Sequence, residues 1–238
     1  MKLPWERLAD RISRTRLPFL DVTVGLIVGQ TGIALIDTGS TLTEAGAIRD
    51  DVLTLTGRRV THILLTHNHF DHILGFPAFD GAAVYCAPAV AATVARGAGD
   101  LRADAIRHGA DPDEIDRAVD ALRRPDHHVS SAVIDLGDGS VWLSHPGRGH
   151  TDHDLIAVSA GDDRTVVFCG DLVEESADPC IGDDSDVAAW PSTLDRVLAA
   201  GGANAAYVPG HGAVVDAAFV RRQRRWLADR VTGPTRSM

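Results

Sequence analysis

Short apolar runs bounded by Gly, Asp, Asn and Pro recur along the chain, separated by longer mixed stretches. The short runs predict strands and the longer stretches predict helices. Residues 22–28 and 33–36 predict two strands joined by the turn Gly29-Gln30-Thr31-Gly32, and Asp37-Thr38-Gly39-Ser40 ends the second. Thr41 is placed to cap a helix running to about Leu55, with Gly57 closing it. Residues 60–65 predict a buried strand and 84–86 a short one. From 88 to 124 the pattern turns helical in two or three pieces, punctuated by Gly97, Gly99, Gly109 and Asp111-Pro112. Pro112 at a first helical position, with acids behind it, marks one helix start. This region is polar on several faces and reads as a helical insertion, at about 88–125, within one domain spanning 1–238. Strands resume at 128–136, 141–144, 155–159 and 165–169; a helix over 187–200, a strand over 205–208 and a closing helix over 214–231 follow. Strand groups in both halves, each followed by helices, predict an α/β (α+β) chain with two sheets face to face and helices outside.

Composition is that of an ordinary globular protein, with 45% hydrophobic and 24% charged residues. The formal net charge of −10 argues against a nucleic-acid partner, because holding a phosphate backbone takes clustered Lys and Arg. Bound divalent cations would offset part of that charge. Cys86, Cys169 and Cys180 do not form paired spacings and read as reduced thiols, Cys169 as a structural thiol in a buried strand. There is no signal-peptide pattern and no run of 18 apolar residues, so no membrane span and a cytoplasmic location are expected. The oligomeric state is left open, a homodimer included.

The chemistry concentrates in His67-Asn68-His69-Phe70-Asp71-His72, at the end of the apolar run 60–65. With 11 His and 28 Asp in 238 residues, chance gives about 0.003 matches to this pattern, so it is not accidental. Imidazole nitrogen and carboxylate oxygen are zinc ligands. In an extended loop His67, His69 and Asp71 point to one side and His72 to the other; adjacent Asp71 and His72 can then serve a second ion. Three later segments can complete the set: Gly149-His150, Gly170-Asp171 and Gly210-His211, each a strong ligand type beside Gly just past a strand.

These segments, with Asp37-Thr38-Gly39 after an early strand, resemble in order the motifs of the metallo-β-lactamase superfamily over about residues 20–215. The resemblance implies a four-layer αββα sandwich, the metallo-β-lactamase fold, with metals at one edge of the sheets. It implies that His67, His69 and His150 hold one metal, that Asp71, His72 and His211 hold another, that Asp171 bridges both, and that Asp37 orients a ligand histidine. Two Zn2+ ions are expected, with Fe or Mn as substitutes. The expected reaction is attack of a hydroxide shared by two ions on a small carbonyl substrate (ester, lactone, thioester or amide), with Asp71 as the catalytic group that orients or shuttles the proton.

The branch is less sharply drawn. Lactam-cleaving members place Cys or Ser near the position of Asp171, which speaks against a β-lactamase. Glyoxalase II-like thioesterases share the seven-ligand set, but the acidic stretch after Asp171 is unlike a glutathione site, and only 27 residues follow His211. The pocket tyrosine of related lactonases has no counterpart, since the only tyrosines are Tyr85 and Tyr207. The alternatives are a mononuclear iron, sulfur dioxygenase-like oxidoreductase and a phosphodiesterase or nuclease. Among the remaining candidates, His62 reads as a strand residue, His127 and His128 as solvated, and His108 as a surface helix end. Roles beside His150 stay open for His145, His153 and Asp154. Trp142, Trp190 and Trp226 read as core or interface packing.

Overall fold

A computed structural model describes residues 2–232. The first sheet holds seven strands in chain order: β1 (Glu6–Ala9), β2 (Ile12–Arg16), β3 (Thr23–Val28), β4 (Ile33–Ile36), β5 (His62–Leu64), β6 (Ala83–Cys86) and β7 (His127–His128). Strands β1 to β4 run antiparallel and β4 to β7 parallel. Helices α1 (Leu42–Thr56), α2 (Phe70–Ile73), α3 (Pro88–Ala95), α4 (Gly99–Arg107) and α5 (Pro112–Asp120) fall between these strands. The second sheet is built from β8 (Ser131–Asp135), β9 (Ser140–Ser144), β10 (Ile156–Ala160), β11 (Thr165–Gly170) and β12 (Ala206–Pro209), in the order β12-β11-β10-β9-β8. Only β11 and β12 pair in parallel. Helix α6 (Trp190–Gly201) precedes β12 and α7 (Ala217–Thr232) follows it.

Three apolar layers hold these elements together. Ile27, Ile36 and Leu64 from the first sheet meet Val141, Val166 and Phe168 from the second. The outer face of the first sheet, with Leu26, Leu35 and Ile63, buries against Ile48 and Val52 of α1 and against Val90, Leu101 and Ile115 of α3 to α5. The outer face of the second sheet, with Val158, Val167 and Tyr207, takes Trp190, Leu194 and Val197 of α6 and Val220 and Leu227 of α7. The result is the αββα sandwich. Strand β4 is buried on both faces, which is why its sequence is continuously apolar and not alternating. Each fully buried Ile, Leu or Val side chain contributes about 1.5–3 kcal/mol.

Local chemistry sets the helix ends. The Thr41 hydroxyl accepts from Glu44 N–H, Glu44 reaches back to Ser40 N–H, and Gly57 ends α1 in the left-handed conformation. Asp111 caps α5 through Asp113 and Glu114 N–H, with Pro112 in the first turn. No helix among the described residues is long and apolar enough to cross a membrane.

Four features depart from the sequence reading. Hairpin β1–β2 was not expected, because only Leu8, Ala9 and Ile12 carry its apolar side; they pack into the layer between the sheets. The single strand expected over 128–136 is two strands in different sheets, β7 and β8. Val129 at the crossing touches both apolar layers, so an apolar residue stands at the break although its partners change. Trp142 is not core: it is 52% exposed on the outer face of β9, beyond the strands that α6 and α7 cover. Trp190 is fully buried, and half-buried Trp226 packs against the same layer with Arg230 over its ring. The fourth departure concerns the His-rich loop, described next.

Candidate metal centre

The parallel pairs β4·β5 and β11·β12 decide where the chemistry lies. Parallel neighbours end on the same side, so Asp37 after β4 and Thr66-His67 after β5 share one sheet edge. Asp171 after β11 and His211 after β12 share the corresponding edge of the other sheet. Hydrogen bonds sew the edges together: Leu155 N–H donates to Thr66 O (2.8 Å) and Thr23 N–H to Gly210 O (2.7 Å).

The extended loop expected through Asp71 stops at His69. His69 is the extended N-cap residue of α2, and Asp71 and His72 lie in that helix. The helical turn carries Asp71 away from His67 and His69, which corrects the alternation argument. His67, His69 and His150 gather around Asp171, and Asp71, His72 and His211 form a second group, with donor atoms inside each group within 4.8 Å of one another. Asp171 stands between the groups. It lies 3.6 Å from His67 Nε2, 3.5 Å from His150 Nε2, 3.2 Å from His72 Nε2 and 3.4 Å from His211 Nε2. A side chain at Gly210 would drive its Cβ into the Asp171 carboxylate, so glycine there permits the close approach.

Each imidazole has one nitrogen tied to an outer acceptor. His72 Nδ1–H donates to Asp37 Oδ2 (2.9 Å). The same oxygen accepts from the Thr66 hydroxyl (2.8 Å), whose oxygen accepts from His67 Nδ1–H (2.9 Å). His150 Nδ1–H donates to Cys180 O (3.1 Å) and His211 Nδ1–H to Leu20 O (2.7 Å). His69 Nε2–H donates to Asp184 Oδ2 (3.3 Å). These bonds turn the other nitrogen of each ring inward, where it can serve as a metal ligand once it is free of a proton. His69 Nδ1 and His150 Nε2 then face each other at 3.0 Å, and His72 Nε2 and His211 Nε2 at 3.4 Å. Buried His67 Nε2 and Asp171 Oδ1 have no hydrogen-bond partner among the described residues. Converging lone pairs and orphaned buried polar atoms are costly unless a proton or a cation sits among them, and the donor set fits divalent metal ions.

Two carriers of this arrangement are themselves strained. Asp37 (φ +61°) and Leu20 (φ +56°) are non-glycine residues in the left-handed region, a conformation that costs of order 1–3 kcal/mol. One presents its carboxylate to His72 and Thr66, the other its carbonyl to His211.

Electrostatics divides the imidazoles. Burial, with His72 alongside, holds His67 well below its usual range, and burial brings His150 down to about 4. Burial also opposes charge on His72, but Asp171, Asp71 and Asp37 overcome it and raise His72 well above its usual range. His211 is raised to about 10, Asp171 again outweighing burial. Burial opposes charge on His69 too, but the Asp184 hydrogen bond together with Asp171 and Asp71 raises it. Burial would raise Asp171, yet facing His72, His211 and His67 it is held well below the carboxylate range.

The remaining histidines are placed as follows. His62 bonds to the Thr61 hydroxyl in β5, and His127 and His128 are exposed. His108 ends α4 and is exposed, but it also lines the cleft over the cluster. His145 Nδ1–H donates to Asp154 O (2.8 Å); the buried Asp154 carboxylate accepts from Thr151 N–H and is raised by burial to about 8. His153 Nε2 is buried without a partner among the described residues. The three cysteines are free thiols, Cys86 and Cys169 buried and Cys180 exposed. Sequence reasoning missed Thr66, the Leu20 and Cys180 carbonyls, Asp184 and Glu174. A backbone carbonyl leaves no residue-type signal; the acid three places after Asp171 did leave one.

The cleft above the cluster encloses about 680 Å³ and is walled by α4 on one side and by residues 174–184 on the other. Two facing sheets with a buried His/Asp cluster at one edge define a protein built to hold metal ions. The family profile of the metallo-beta-lactamase superfamily matches residues 17–211, and the chain belongs to that superfamily. A curated metallo-beta-lactamase type 2 of Bacteroides fragilis is 31% identical over 121 residues, which are 49% of this chain and 47% of that protein, so the match spans about half the length of each. A solved metallo-beta-lactamase from Pontibacter korlensis superposes with a TM-score of 0.75 at 18% identity, covering 96% of this chain and 100% of that one. The FIM-1 enzyme of Pseudomonas aeruginosa in its mono-zinc form gives a TM-score of 0.70 at 17% identity, with 98% of both chains covered. At these identities the solved structures share the fold. Family and cluster together support a metal-binding protein of this superfamily.

Proposed function

We propose that the protein is a dinuclear zinc hydrolase that opens a small carbonyl compound: an ester, lactone, thioester or amide. The observation that carries this reading is the inward convergence of five imidazoles and two carboxylates, each ring held from behind by its own acceptor. His67, His69 and His150 would hold one ion, Asp71, His72 and His211 the other, with Asp171 serving both. Bound there, divalent ions supply Lewis-acid polarisation of a carbonyl and a nucleophilic water near neutral pH.

The chain's own residues do the rest. Asp71 lines the cleft beside His211 and His72, at 3.4 and 3.7 Å, where its carboxylate orients the attacking water and takes its proton. Asp37 keeps His72 in one tautomer, and Thr66 does so for His67. The cleft volume suits a small molecule. The net charge of −10 favours such a substrate over a nucleic acid. Free thiols suit a cytoplasmic setting.

The test is proton release by zinc-loaded protein against an ester, a lactone, a thioester and a β-lactam, the last prompted by the name of the Bacteroides relative. Asp71→Ala should lose most of the activity with the fold retained; full turnover by that variant, with metals intact, sinks the assignment of Asp71. No acid from any substrate, with one iron bound in place of two zincs, would favour the dioxygenase-like alternative.

A further inference from the structure

The walls of the cleft, apart from the metal-facing cluster, are acidic. Asp104, Glu174, Asp178, Asp183 and Asp184 line it, and Arg107 is the sole Arg or Lys among the lining residues. Most of these acids already have a cationic or imidazole neighbour. Asp104 pairs with Arg107 (2.7 Å), Asp178 with Arg230 (3.8 Å) and Asp184 with His69 (3.3 Å). Glu174 and Asp183 have no Arg, Lys or His ion-pair partner among the described residues.

Glu174 is the one built into place. It is 6% exposed, and its backbone N–H donates to Gln223 Oε1 (3.0 Å), while Gln223 is anchored from α7 through Leu172 O (2.8 Å). Its Oε1 accepts from Ser176 N–H (3.1 Å) and Oγ (2.6 Å). Its Oε2 has no donor among the described residues, and the residue lines the cleft with a carboxylate oxygen within 4.8 Å of the Asp171 and His211 donor atoms. A buried, positioned carboxylate with one oxygen unspent is a receptor for a hydrogen-bonding cation.

We propose that this cleft selects carbonyl compounds that carry an ammonium on a short arm, and that Glu174 receives that ammonium. The proposal rests on the hydrolase reading for its reacting centre and adds the charge of the substrate. An anionic substrate would meet Glu174 and Asp183 as like charges in the wall, where the one Arg or Lys among the lining residues, Arg107, is already paired with Asp104. Burial and Asp171 bring Glu174 up to about 7; a cation seated against it favours the ionised form.

The test is equilibrium binding to zinc-loaded protein, read by isothermal titration without turnover. The probes are three hydroxamates of matched length: β-alanine hydroxamate (ammonium), butyrohydroxamate (neutral) and succinic monohydroxamate (carboxylate). The ammonium probe should bind about tenfold tighter than the neutral one, with the carboxylate probe weakest. Glu174→Gln should bring the ammonium and neutral probes to within about threefold, and Glu174→Lys should invert the order. Equal binding of all three to the wild type, an unchanged order in a folded Glu174→Lys, or no binding of any probe at millimolar concentration overturns the proposal. So does loss of one zinc equivalent from Glu174→Gln by elemental analysis, since Glu174 would then be a ligand. If Glu174→Lys does not fold, the glutamine variant decides alone. A protein that ranks the probes as expected but hydrolyses nothing overturns the hydrolase reading and keeps the charge assignment.

Discussion

The two groups of side chains around Asp171 use the same residue types in opposite electrostatic settings. Around His67, His69 and His150, two rings are buried against a hydroxyl and a backbone carbonyl, and burial keeps them neutral. Around Asp71, His72 and His211, carboxylates stand on several sides and favour the protonated rings, raising His72 well above its usual range and His211 to about 10. A neutral imidazole offers its lone pair at once, whereas a protonated one must first release its proton. The first group is therefore a ready site near neutral pH, and the second is one where protons and metal compete.

Removing the residue common to both groups should have the largest effect. Asp171→Ala should weaken metal binding at both by more than about a hundredfold, beyond the 10–100-fold typical of an outer partner. Zinc titration followed by elemental analysis checks this, and retention of two tightly held ions would refute a shared role. Asp37→Ala should act unequally. It takes the acceptor from His72 directly and from His67 only through Thr66, so the second group should lose about 10–100-fold in affinity and the first less. Equal losses would mean that Asp37 acts on the loop as a whole.

Acidity should separate the groups next. His72 is raised well above its usual range and His211 to about 10, so protons compete with a metal in the second group and its affinity rises with pH. In the first group His67 is held well below its usual range and His150 is at about 4, and only His69 is raised. The second group's affinity should therefore fall more steeply than the first's as pH drops. Zinc titrations between pH 6 and 8 should show the steeper slope in one site; parallel slopes contradict the assignment. Asp184→Asn should do least. Its carboxylate is 43% exposed, and the loss should be about threefold, confined to the first group.

Much of this centre could be read before any coordinates existed. The spacing of His67, His69, Asp71 and His72 after an apolar run picked out four of the side chains that the fold gathers, and a ligand type beside Gly at three later strand ends picked out the other three. The caps of α1 at Thr41 and Gly57 were equally legible, because a cap is an interaction over three or four residues. Hairpin β1–β2 was hidden by its polar side. The break between β7 and β8 was hidden because Val129 is apolar whichever layer it joins. Core and interface stayed open for Trp142 because bulk alone does not say whether a helix lies over its strand, and its exposure excludes core.

The sequence by itself determined the donor types, their order and their placement at strand ends, since these are properties of residue identity and local period. Only the tertiary structure decided which nitrogen of each ring turns inward, which groups hold the rings from behind, and that Glu174 stands in the wall. Those outcomes depend on the turn of α2, on the Leu20 and Cys180 carbonyls and on Gln223 of α7, groups brought together from distant parts of the chain by the packing of the two sheets.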